Sequence, residues 1–557
     1  MASLNINIGC EFFRRIREEN LCYVDKTSLI EELLSSDQAQ VSLITRPRRF
    51  GKTLTMTMLQ EFFDIQRDSR RIFEGLAISG NTALCEKWMN RYPTVFLSLK
   101  GVEGLDYDFA LSRLSDLLQQ TCIEHVYLLE SEKVDIDIKE KLEALKKGGV
   151  GDKGLAGSLQ LLSRALRAYW GKPAILLIDE YDVPVSCAEQ NGYYKEMVSF
   201  MRVFLGAALK TNASLKFAVL TGCLRIAKES IFTGLNNFRC YTVSDIDYAD
   251  KLGFTEKEVD GLLEAAGLSD KKGVFKEWYD GYRFGEGAEI YCPWDILMYL
   301  SDLQKSAEAK PKAYWNNTSG NAIVRTLINM AGREIKEKIE KLIAGEAIEE
   351  RLAEELTYDI VYKNERNIWT MLYLTGYLTK ALIQPDNGLT ALVIPNKEVK
   401  LIFTDTVSLW LEDKIAEDDL APFVQALWSG GCAVLQSKIN DILYETISYF
   451  DSRENYYHGF MTGLLRGAGL AVRSNREQGL GRADIIIEDG RNKRGVIIEL
   501  KHAQEYEELE AKAEEGLRQI EERNYAAGLG PHIRRVMNYG VSFWKKESCV
   551  KASETAR

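Results

Sequence analysis

Two sets of residues in this sequence have the types and the spacing that phosphate chemistry needs. The first is Gly51, Lys52 and Thr53, which form the second half of the G-x-x-x-x-G-K-[ST] pattern of phosphate-binding loops. In such a loop the backbone N–H groups point inward, the lysine reaches the β- and γ-phosphates, and the hydroxyl binds Mg²⁺. The position of the first glycine holds Arg46, followed by Pro47, so the chain must enter this loop in a different way.

Residues beside this motif belong to the same predicted site. We expect Arg49, Phe50 and Leu54 to contribute to nucleotide binding together with the motif itself. The arginines Arg46, Arg48 and Arg49 either add cationic contacts to the phosphates or are solvated, and the sequence leaves both alternatives open.

Two acids at the end of an apolar run supply the second half of the predicted site. The run 174–179 ends at Asp179 and is followed by Glu180. A charged acid at the end of a buried strand is costly unless it faces a cleft, so we expect Asp179 to hold Mg²⁺ directly or through water. Glu180 is placed to polarise the attacking water. The alternative is a strand that ends in a solvated acidic turn.

The order of these parts along the chain favours a catalytic site. One extra strand, predicted at 94–99, lies between the loop and the acids, as in the NTPases whose catalytic glutamate follows the magnesium-binding aspartate. Further along, Thr221 and Arg225 resemble a γ-phosphate sensor and a phosphate-contacting arginine. A plain turn with a surface arginine is the alternative for these two residues.

A second group of residues, near the end of the sequence, has the types that metal-assisted phosphodiester cleavage needs. Asp484 begins a predicted strand, and Glu499 and Lys501 lie on the next one. Side chains alternate between the faces of a strand, so Glu499 and Lys501 share one face, and Asp484 can approach Glu499 if the strands pair. The two carboxylates would then hold a divalent cation while the lysine orients or activates water. A solvent-facing, salt-bridged strand end is the alternative.

The surroundings of this second group are less sharply defined. His458 lies on the preceding helix, where such folds often place an acid, and Gln519 lies on the following helix; both are candidate accessory residues. Tyr525 comes six residues after Gln519, a spacing that does not share a helix face, so we interpret it as a packing residue. Basic residues along the same segment would suit the approach of phosphate, although ordinary surface charge explains any one of them. They are Arg473, Arg476, Arg482, Arg491, Lys493 and Arg494.

The elements that must position these residues are indicated by the apolar runs. Five short runs, rich in β-branched residues and not strictly alternating, are typical of strands buried on both faces of a parallel sheet. They are 41–45, 94–99, 174–179, 216–222 and 239–244, with helical stretches such as 53–64 and 158–170 between them. This alternation predicts a doubly wound α/β domain.

The remainder of the chain has a different pattern of predicted helices and strands. Residues from about 255 to 440 have mostly helical spacing, with a short hairpin strand at 390–396. The chain after about 450 follows the order α-β-β-β-α-β.

The composition excludes several classes of protein. Among 557 residues, 71 bases and 82 acids give a net charge of -11, which excludes a globally basic nucleic-acid coat but not a local basic groove. Ten scattered cysteines without a C-x-x-C pair, and only four histidines, argue against a zinc site and for a reducing compartment. No apolar run approaches the roughly 18 residues of a membrane-spanning helix, and the N-terminus lacks a signal-peptide pattern, so we expect a cytoplasmic protein.

Several longer motifs together carry a family resemblance. In the first half they are YVDKT (23–27), TRPRRFGKT (45–53), LIDEYDVP (177–184), TGCLRIAK (221–228) and FTGLNNF (232–238). Beyond these come WYDGYRF (278–284), YCPWDIL (291–297), LYLTGYLT (372–379), YYHGFMTGLL (456–465), GRADIII (481–487) and VIIELK (496–501). The motifs up to 379 resemble the bacterial AAA-ATPase-like family, and those from 456 resemble the PD-(D/E)XK nuclease domain that such proteins often carry at the C-terminus.

The resemblance covers nearly the whole chain and implies an overall architecture. It implies an NTPase module joined through a helical region to a restriction-type nuclease fold. With the sequence pattern, we predict a P-loop AAA-ATPase-like domain at 1–250, a helical lid-like region at 251–335, a helical region at 336–445 that could be winged-helix-like, and a restriction-endonuclease-like α/β domain at 446–557. Core packing is the alternative for the stretch 367–379 in the third part. The family's loop accepts arginine in place of the first glycine, in keeping with Arg46.

The function that follows is an enzyme with two coupled activities. We expect ATP binding and hydrolysis with Mg²⁺, and a nuclease-like site that uses Mg²⁺ or Mn²⁺ on nucleic acid, DNA in preference to RNA, and that ATP binding licenses. One alternative is a nucleotide-dependent switch whose nuclease fold serves docking rather than cleavage. Another is a plain ATPase that remodels a protein partner. We expect no membrane partner, and the sequence gives no indication of the oligomeric state.

Overall fold

The five apolar runs form the strands of one sheet in the computed structural model. These strands are β1 (Val41–Thr45), β2 (Thr94–Ser98), β3 (Ala174–Asp179), β4 (Leu215–Gly222) and β5 (Phe238–Tyr241). They lie in the order β2-β3-β4-β1-β5, and every neighbouring pair is parallel. β1 and β3 are buried along their whole length, as expected where helices cover both faces. The predicted doubly wound α/β domain is confirmed.

The structure describes most of the chain, with short gaps. The described residues are 4–35, 39–224, 231–232, 236–315, 322–330, 333–353, 356, 358–417, 419–445, 453–474 and 483–556. The chain divides into two compact units, of which the first comprises Met1–Asn317 and Glu349–Val399 and the second comprises Thr318–Ile348 and Lys400–Arg557.

The parallel register brings the chemically interesting strand ends to one edge of the first sheet. Thr45 at the end of β1 lies opposite Gly222 at the end of β4, and Ser98 at the end of β2 lies opposite Asp179 at the end of β3. Because β4 lies between β1 and β3, the loop after β1 and the acid of β3 share this edge. Ligands of open α/β sheets bind outside the carboxyl ends of the strands.

β5 is shorter than the run 239–244 predicted. The strand ends at Tyr241 because the next residue begins a turn: the backbone N–H and the hydroxyl of Thr242 both donate to the carboxylate of Asp245, each at 2.7 Å. Such a side-chain contact offers the backbone an alternative to the strand ladder.

Helices surround the parallel sheet and continue beyond it in the first unit. Around the sheet they are Phe13–Glu18, Ser28–Leu33, Lys52–Phe63, Arg70–Phe73, Thr82–Trp88, Tyr107–Glu124, Tyr127–Glu130, Ile136–Lys146, Asp152–Ala156, Ser158–Trp170, Val183–Asn191 and Tyr194–Leu209. Beyond it they are Glu256–Ala266, Lys272–Tyr279, Pro293–Lys305 and Glu365–Leu374, with 3-10 turns at Ala77–Gly80, Ser269–Lys271 and Tyr358–Lys363.

The middle of the chain is mostly helical, as predicted, and also contains two small sheets. The first consists of β6 (Phe254–Thr255), β7 (Tyr282–Phe284) and β8 (Ala288–Tyr291), in the order β6-β8-β7. The second consists of β9 (Ile348–Glu350), β10 (Thr379–Lys380) and β11 (Thr390–Val393), in the order β10-β11-β9. The short hairpin strand predicted at 390–396 corresponds to β11, which pairs antiparallel with β10.

The C-terminal sheet follows the predicted order of elements and adds one strand. Its strands are β12 (Val472–Ser474), β13 (Ile485–Asp489), β14 (Arg494–His502), β15 (Arg535–Trp544) and β16 (Glu547–Ala556), in that order across the sheet. Only β14 and β15 are parallel, and the helix Leu509–Glu522 connects them. The sequence pattern missed β16 because this edge strand is largely polar and only partly buried.

Further helices accompany this sheet or precede it in the chain. They are Ala322–Met330, Arg333–Ala344, Lys397–Glu417, Ala421–Ser429, Cys432–Glu445 and Arg453–Gly467, with 3-10 turns at Tyr506–Glu508 and Tyr525–Gly528. Within the ranges given above, no helix combines the length and the apolar character needed to cross a membrane.

Candidate phosphate and metal sites

The loop after β1 has the backbone geometry of a phosphate-binding loop. Gly51 adopts φ of +83°, a left-handed conformation that favours glycine, and the helix Lys52–Phe63 begins immediately after it. Lys52 is 5% exposed, and its Nζ donates to the carbonyl oxygens of Arg46 and Pro47 at 3.0 and 2.9 Å. The lysine is therefore folded onto its own loop, beside the N-terminus of a helix that favours anions.

Arg46 is neither solvated nor a phosphate contact, so both alternatives considered for its side chain are wrong. The residue is completely buried, and its guanidinium donates to the carbonyl oxygens of Thr45 at 2.8 Å, Tyr241 at 3.2 Å and Tyr248 at 2.7 Å. Burial lowers the pKa of Arg46 to about 10, which still leaves the group charged at neutral pH. The arginine thus stabilises the entry to the loop by joining the ends of β1 and β5.

Two other predicted nucleotide contacts have side chains that the protein itself holds. The guanidinium of Arg49 donates to the carbonyl oxygen of Tyr314 at 3.0 Å and lies 4.2 Å from the ring centre of Trp294. Phe50 is buried and packs edge-on against Tyr282, with 5.1 Å between ring centroids. These contacts leave the backbone N–H groups of Arg49 and Phe50 as their means of reaching a phosphate.

The remaining side chains of the loop point to different environments. Arg48 is exposed. Leu54 is partly buried and packs against the hydrophobic core beneath the loop helix. The side chains of Lys52 and Thr53 reach the edge of the sheet where the acids lie. The guanidinium of Arg48 also interacts there with Cys223 and Glu180.

Asp179 is the centre of a set of hydroxyl groups. The residue is completely buried; its Oδ2 accepts hydrogen bonds from the hydroxyls of Thr53 at 2.8 Å and Ser98 at 3.4 Å, and its Oδ1 accepts one from Thr221 at 2.5 Å. Three of the predicted site residues thus meet in space. Ser98 is a fourth member that the sequence reading missed, although its position at the end of β2 was a usable signal.

Glu180 lies beside this cluster in an unusual backbone conformation. Its φ is 52°, a region that non-glycine residues rarely occupy and that costs on the order of 1–2 kcal/mol. Burial is the main factor that raises the pKa of Glu180, and the charges of Asp179 and Asp182 raise it further, while that of Lys52 lowers it. A half-buried carboxylate with a raised pKa is suited to accept a proton.

Sequence reasoning missed two residues that follow Glu180. Oδ2 of Asp182 accepts the backbone N–H groups of Cys223 and Leu224, both at 3.0 Å, and the hydroxyl of Tyr181 donates to the carbonyl oxygen of Leu224 at 2.7 Å. Together they hold the loop that follows Thr221. The repeated acid in D-E-Y-D was the available signal, while Arg225, predicted to contact phosphate, lies outside the described residues.

The second predicted site forms where the start of β13 lies beside the second half of β14. Ile485 pairs with Ile498, so the antiparallel register brings Asp484 alongside Glu499, and Oδ2 of Asp484 accepts the backbone N–H of Leu500 at 2.8 Å. Glu499 is 3% exposed, and burial followed by the charge of Asp484 raises its pKa to about 7. The predicted approach of these two carboxylates across the ladder agrees with this geometry.

Gln519 and Lys501 complete the arrangement around Glu499. Lys501 Nζ donates to Oε1 of Gln519 at 2.6 Å and lies 3.4 Å from Oε1 of Glu499, which also accepts a hydrogen bond from Nε2 of Gln519. Nε2 of Gln519 is 3.1 Å from the hydroxyl of Tyr525. The interpretation of Tyr525 as a packing residue is therefore incomplete, because the helix ends at Glu522 and a 3-10 turn returns the tyrosine to Gln519.

A close helix–strand contact places Gln519 over Glu499. Gly540 of β15 lies opposite Glu499 in the register of β14 and β15, and a Cβ added to Gly540 would come within 1.9 Å of the carbonyl oxygen of Ala513. A Cβ on Gly516 would meet the backbone of Gly540 at 3.2 Å. The absence of both side chains lets the helix Leu509–Glu522 lie directly on the sheet, so that Gln519, one turn further on, faces Glu499.

His458 and the described basic residues make fewer side-chain contacts at the second site than the sequence suggested. The imidazole Nε2 of His458 is 3.1 Å from the carbonyl oxygen of Asp484, so the ring contacts the backbone at the start of β13. Three members of the predicted basic cluster, Arg491, Lys493 and Arg494, lie away from the site at the turn between β13 and β14, about five residues or 17 Å away along the strands.

Two described members of the cluster have acidic partners. Arg473 pairs with Glu488 at 3.3 Å, and Arg494 pairs with Asp489 at 2.9 Å. Arg476 and Arg482 lie outside the described residues.

Both sites contain oxygen ligands that suit a divalent cation, although neither site has a dense cluster of metal-binding side chains. Within the described ranges, no group of three or more His, Cys, Asp or Glu residues has the geometry to hold a metal ion. Oε2 of Glu499 is nonetheless buried without a hydrogen-bond partner, and a cation would compensate it. At the first site, the Thr53 hydroxyl and the Asp179 carboxylate are the hard oxygen ligands that Mg²⁺ prefers.

Comparison with known proteins finds the same two families that the sequence motifs resemble. Residues 7–232 match the family model described as a predicted AAA-ATPase, and residues 452–553 match that of the PD-(D/E)XK nuclease superfamily. The predicted resemblance is thereby confirmed for both domains. The chain is also similar to a protein of Azotobacter chroococcum mcd 1 described as an uncharacterized protein in the vnfD 5′ region. The two are 25% identical over 415 residues, which cover 73% of this chain and 71% of that protein.

Proposed function

We propose that this protein binds and hydrolyses ATP at the first site and cleaves nucleic acid at the second. The chain contains an AAA-ATPase-like domain and a PD-(D/E)XK nuclease domain, whose families generally use ATP and divalent metals. The observation that carries the proposal is the meeting of Thr53, Thr221 and Asp179 beside Lys52 and the N-terminus of a helix. Few other chemistries need these groups at the carboxyl edge of a parallel sheet.

In the ATP reaction, each residue has a defined task. The backbone N–H groups at Gly51 and the following helix hold the phosphates, while Lys52 exchanges its carbonyl partners for phosphate oxygens. Thr53 and Asp179 are the residues that would hold Mg²⁺, which neutralises charge on the β- and γ-phosphates when it is bound. Glu180 orients the attacking water and accepts its proton, as its raised pKa favours.

In the nuclease reaction, the carboxylates and the lysine divide the work. Asp484 and Glu499 would hold Mg²⁺ or Mn²⁺, which supplies Lewis-acid activation of the scissile phosphate when it is bound. Lys501 would orient the attacking water, and Gln519, which hydrogen-bonds both the lysine and Glu499, would hold their side chains in position. Nucleic acid, DNA in preference to RNA, is the proposed substrate, and His458 is proposed to support Asp484 through its backbone.

The experiment that tests this proposal measures both activities on the same preparations. Wild type, Glu180→Gln and Asp484→Ala are assayed for ATP turnover and for plasmid nicking with Mg²⁺ or Mn²⁺, with and without ATP. We expect Glu180→Gln to bind ATP without turnover and Asp484→Ala to turn over ATP without nicking. Equal nicking by wild type and Asp484→Ala would contradict the nuclease assignment. Absent nicking together with ATP-sensitive DNA binding would favour the docking alternative.

A further inference from the structure

A side chain from well beyond the AAA-ATPase-like match reaches the ATP site. Tyr358 is the first residue of the 3-10 turn Tyr358–Lys363, whereas the family match ends at residue 232. Its hydroxyl donates to Oδ2 of Asp182 at 3.1 Å, and the two residues are 9% and 3% exposed. A hydrogen bond to a carboxylate in such a buried place is stronger than one between neutral groups in water.

The carboxylate of Asp182 accepts hydrogen bonds from a loop that is distant in sequence and does not cap the helix that follows it. It precedes the helix Val183–Asn191 but makes no side-chain cap to it. All three of its described donors, the N–H groups of Cys223 and Leu224 and the hydroxyl of Tyr358, contact the single oxygen Oδ2. Burial raises the pKa of Asp182, and these donors together with the charge of Lys52 oppose that rise. The charged form of Asp182 therefore depends on its donors.

The loop that Asp182 holds also contacts the phosphate-loop lysine. Nζ of Lys52 lies 3.6 Å from Sγ of Cys223, in addition to its two carbonyl partners. The space at Gly222 is needed for this packing, since a Cβ there would come within 2.7 Å of Oδ1 of Asp182 and 2.6 Å of the ring of Tyr181. A continuous chain of contacts thus runs from Tyr358 through Asp182 and Cys223 to Lys52.

We propose that Tyr358 and Asp182 are positioning residues for the ATP site, with Tyr358 acting through Asp182 on the loop 222–224 that lies against Lys52. This inference rests on the proposed ATPase function of that site. It goes beyond that function because it makes the 3-10 turn Tyr358–Lys363 a part of the catalytic apparatus. A displacement of this turn would withdraw a donor from Asp182, loosen the loop and change the setting of Thr221 and Lys52.

The test compares two tyrosine-to-phenylalanine variants of the full chain. Tyr358→Phe removes the hydroxyl that donates to Asp182. Tyr299→Phe is the matched control, because Tyr299 is 2% exposed and its hydroxyl donates to the carbonyl oxygen of Ala309 at 3.2 Å. Amide hydrogen exchange of Cys223 and Leu224, read by mass spectrometry, needs no catalysis. Nucleotide affinity and kcat are measured on the same samples.

We expect Tyr358→Phe to speed exchange at Cys223 and Leu224 by about tenfold, as for the loss of one charge-assisted hydrogen bond, and Tyr299→Phe to leave it unchanged. The kcat of Tyr358→Phe should fall by about 5- to 30-fold with the ATP affinity changed less than about threefold. In an Asp182→Asn background the same substitution should add less than about a twofold effect, because the two residues act in series.

Three results would overturn the proposal. They are unchanged exchange in Tyr358→Phe, an equal effect of Tyr299→Phe, and faster exchange with unaltered kcat. A wild type that binds ATP but turns none over would contradict the proposed hydrolysis instead, and the exchange comparison would still decide whether Tyr358 holds the loop through Asp182.

Discussion

The hydroxyl of Thr53 donates a hydrogen bond of 2.8 Å to Oδ2 of Asp179, although 126 residues separate the two in the sequence. Thr53 is the second residue of the helix after β1 and Asp179 is the last residue of β3, and the parallel register of the sheet brings them together. This contact joins the two halves of the proposed magnesium site. The role of the Thr53 hydroxyl in binding magnesium can be tested separately from its contribution to folding.

The Thr53 hydroxyl should be needed for magnesium-dependent nucleotide binding. Thr53→Val keeps the shape of the side chain but removes the hydroxyl, so we expect the affinity for ATP with Mg²⁺ to fall by about 10- to 100-fold. Binding of ATP in EDTA should change little. Thr55→Val, a buried threonine of the same helix, is the control. An equal loss of affinity with and without Mg²⁺ would argue against a metal role for Thr53. Fluorescence titration with a labelled ATP analogue measures both affinities.

Arg46 should matter for stability more than for nucleotide contact. Arg46→Met removes three hydrogen bonds to buried carbonyl oxygens, so we expect the free energy of unfolding to fall by about 3 kcal/mol. Thermal unfolding without nucleotide measures the change. Arg48→Met, at an exposed position of the same loop, serves as the comparison. Weaker ATP binding by Arg46→Met without loss of stability would mean that the guanidinium contacts phosphate after all.

Glu499 should make the metal-free protein less stable as the pH rises. Its pKa of about 7 in the folded protein lies above the ordinary value of 4.5, so the folded state holds the proton more tightly than the unfolded state. The free energy of unfolding should therefore decrease between about pH 4.5 and 7, by on the order of 3 kcal/mol from this group.

Urea unfolding in EDTA at several pH values measures this dependence for wild type and Glu499→Gln. The variant should lose the decrease, while Glu507→Gln, at an exposed position, should keep it. A pH dependence that is the same in wild type and Glu499→Gln would show that Glu499 titrates normally.

Gly540 should be required for the second site and not for the first. Gly540→Ala would push the helix Leu509–Glu522 away from the sheet, since the new Cβ would lie 1.9 Å from the carbonyl oxygen of Ala513. Gln519 would move with the helix, so we expect nicking to fall by at least about tenfold while ATP turnover is kept. Gly528→Ala is the control, because nothing lies within 4 Å of its added Cβ. Normal nicking by Gly540→Ala would mean that Gln519 does not position the site.

The sequence predicted the parts of these sites that depend on local pattern. The strands β1 to β4, the loop at Gly51 and the acids at Asp179 and Glu499 follow from apolar runs and motif spacing, because a strand end fixes where its last side chain lies. The buried role of Arg46 could not be predicted, since it depends on carbonyl groups of Tyr241 and Tyr248 that only the folded sheet brings near.

Long-range contacts explain the other differences. The contact of Tyr358 with Asp182 joins positions that share no motif, and Tyr525 reaches Gln519 because the helix ends between them. Arg491, Lys493 and Arg494 lie away from Asp484 for a related reason, because they are close to it in sequence but lie at the far end of a hairpin.

The two proposed sites should each bind a divalent cation. Crystals soaked with Mn²⁺ and a non-hydrolysable ATP analogue, measured by anomalous diffraction, test it most directly. We predict one manganese peak at Thr53 and Asp179 beside the terminal phosphates and another between Asp484 and Glu499. Nucleotide bound without a metal peak at Asp179, or the absence of a peak at Glu499 at saturating Mn²⁺, would contradict the account for that site.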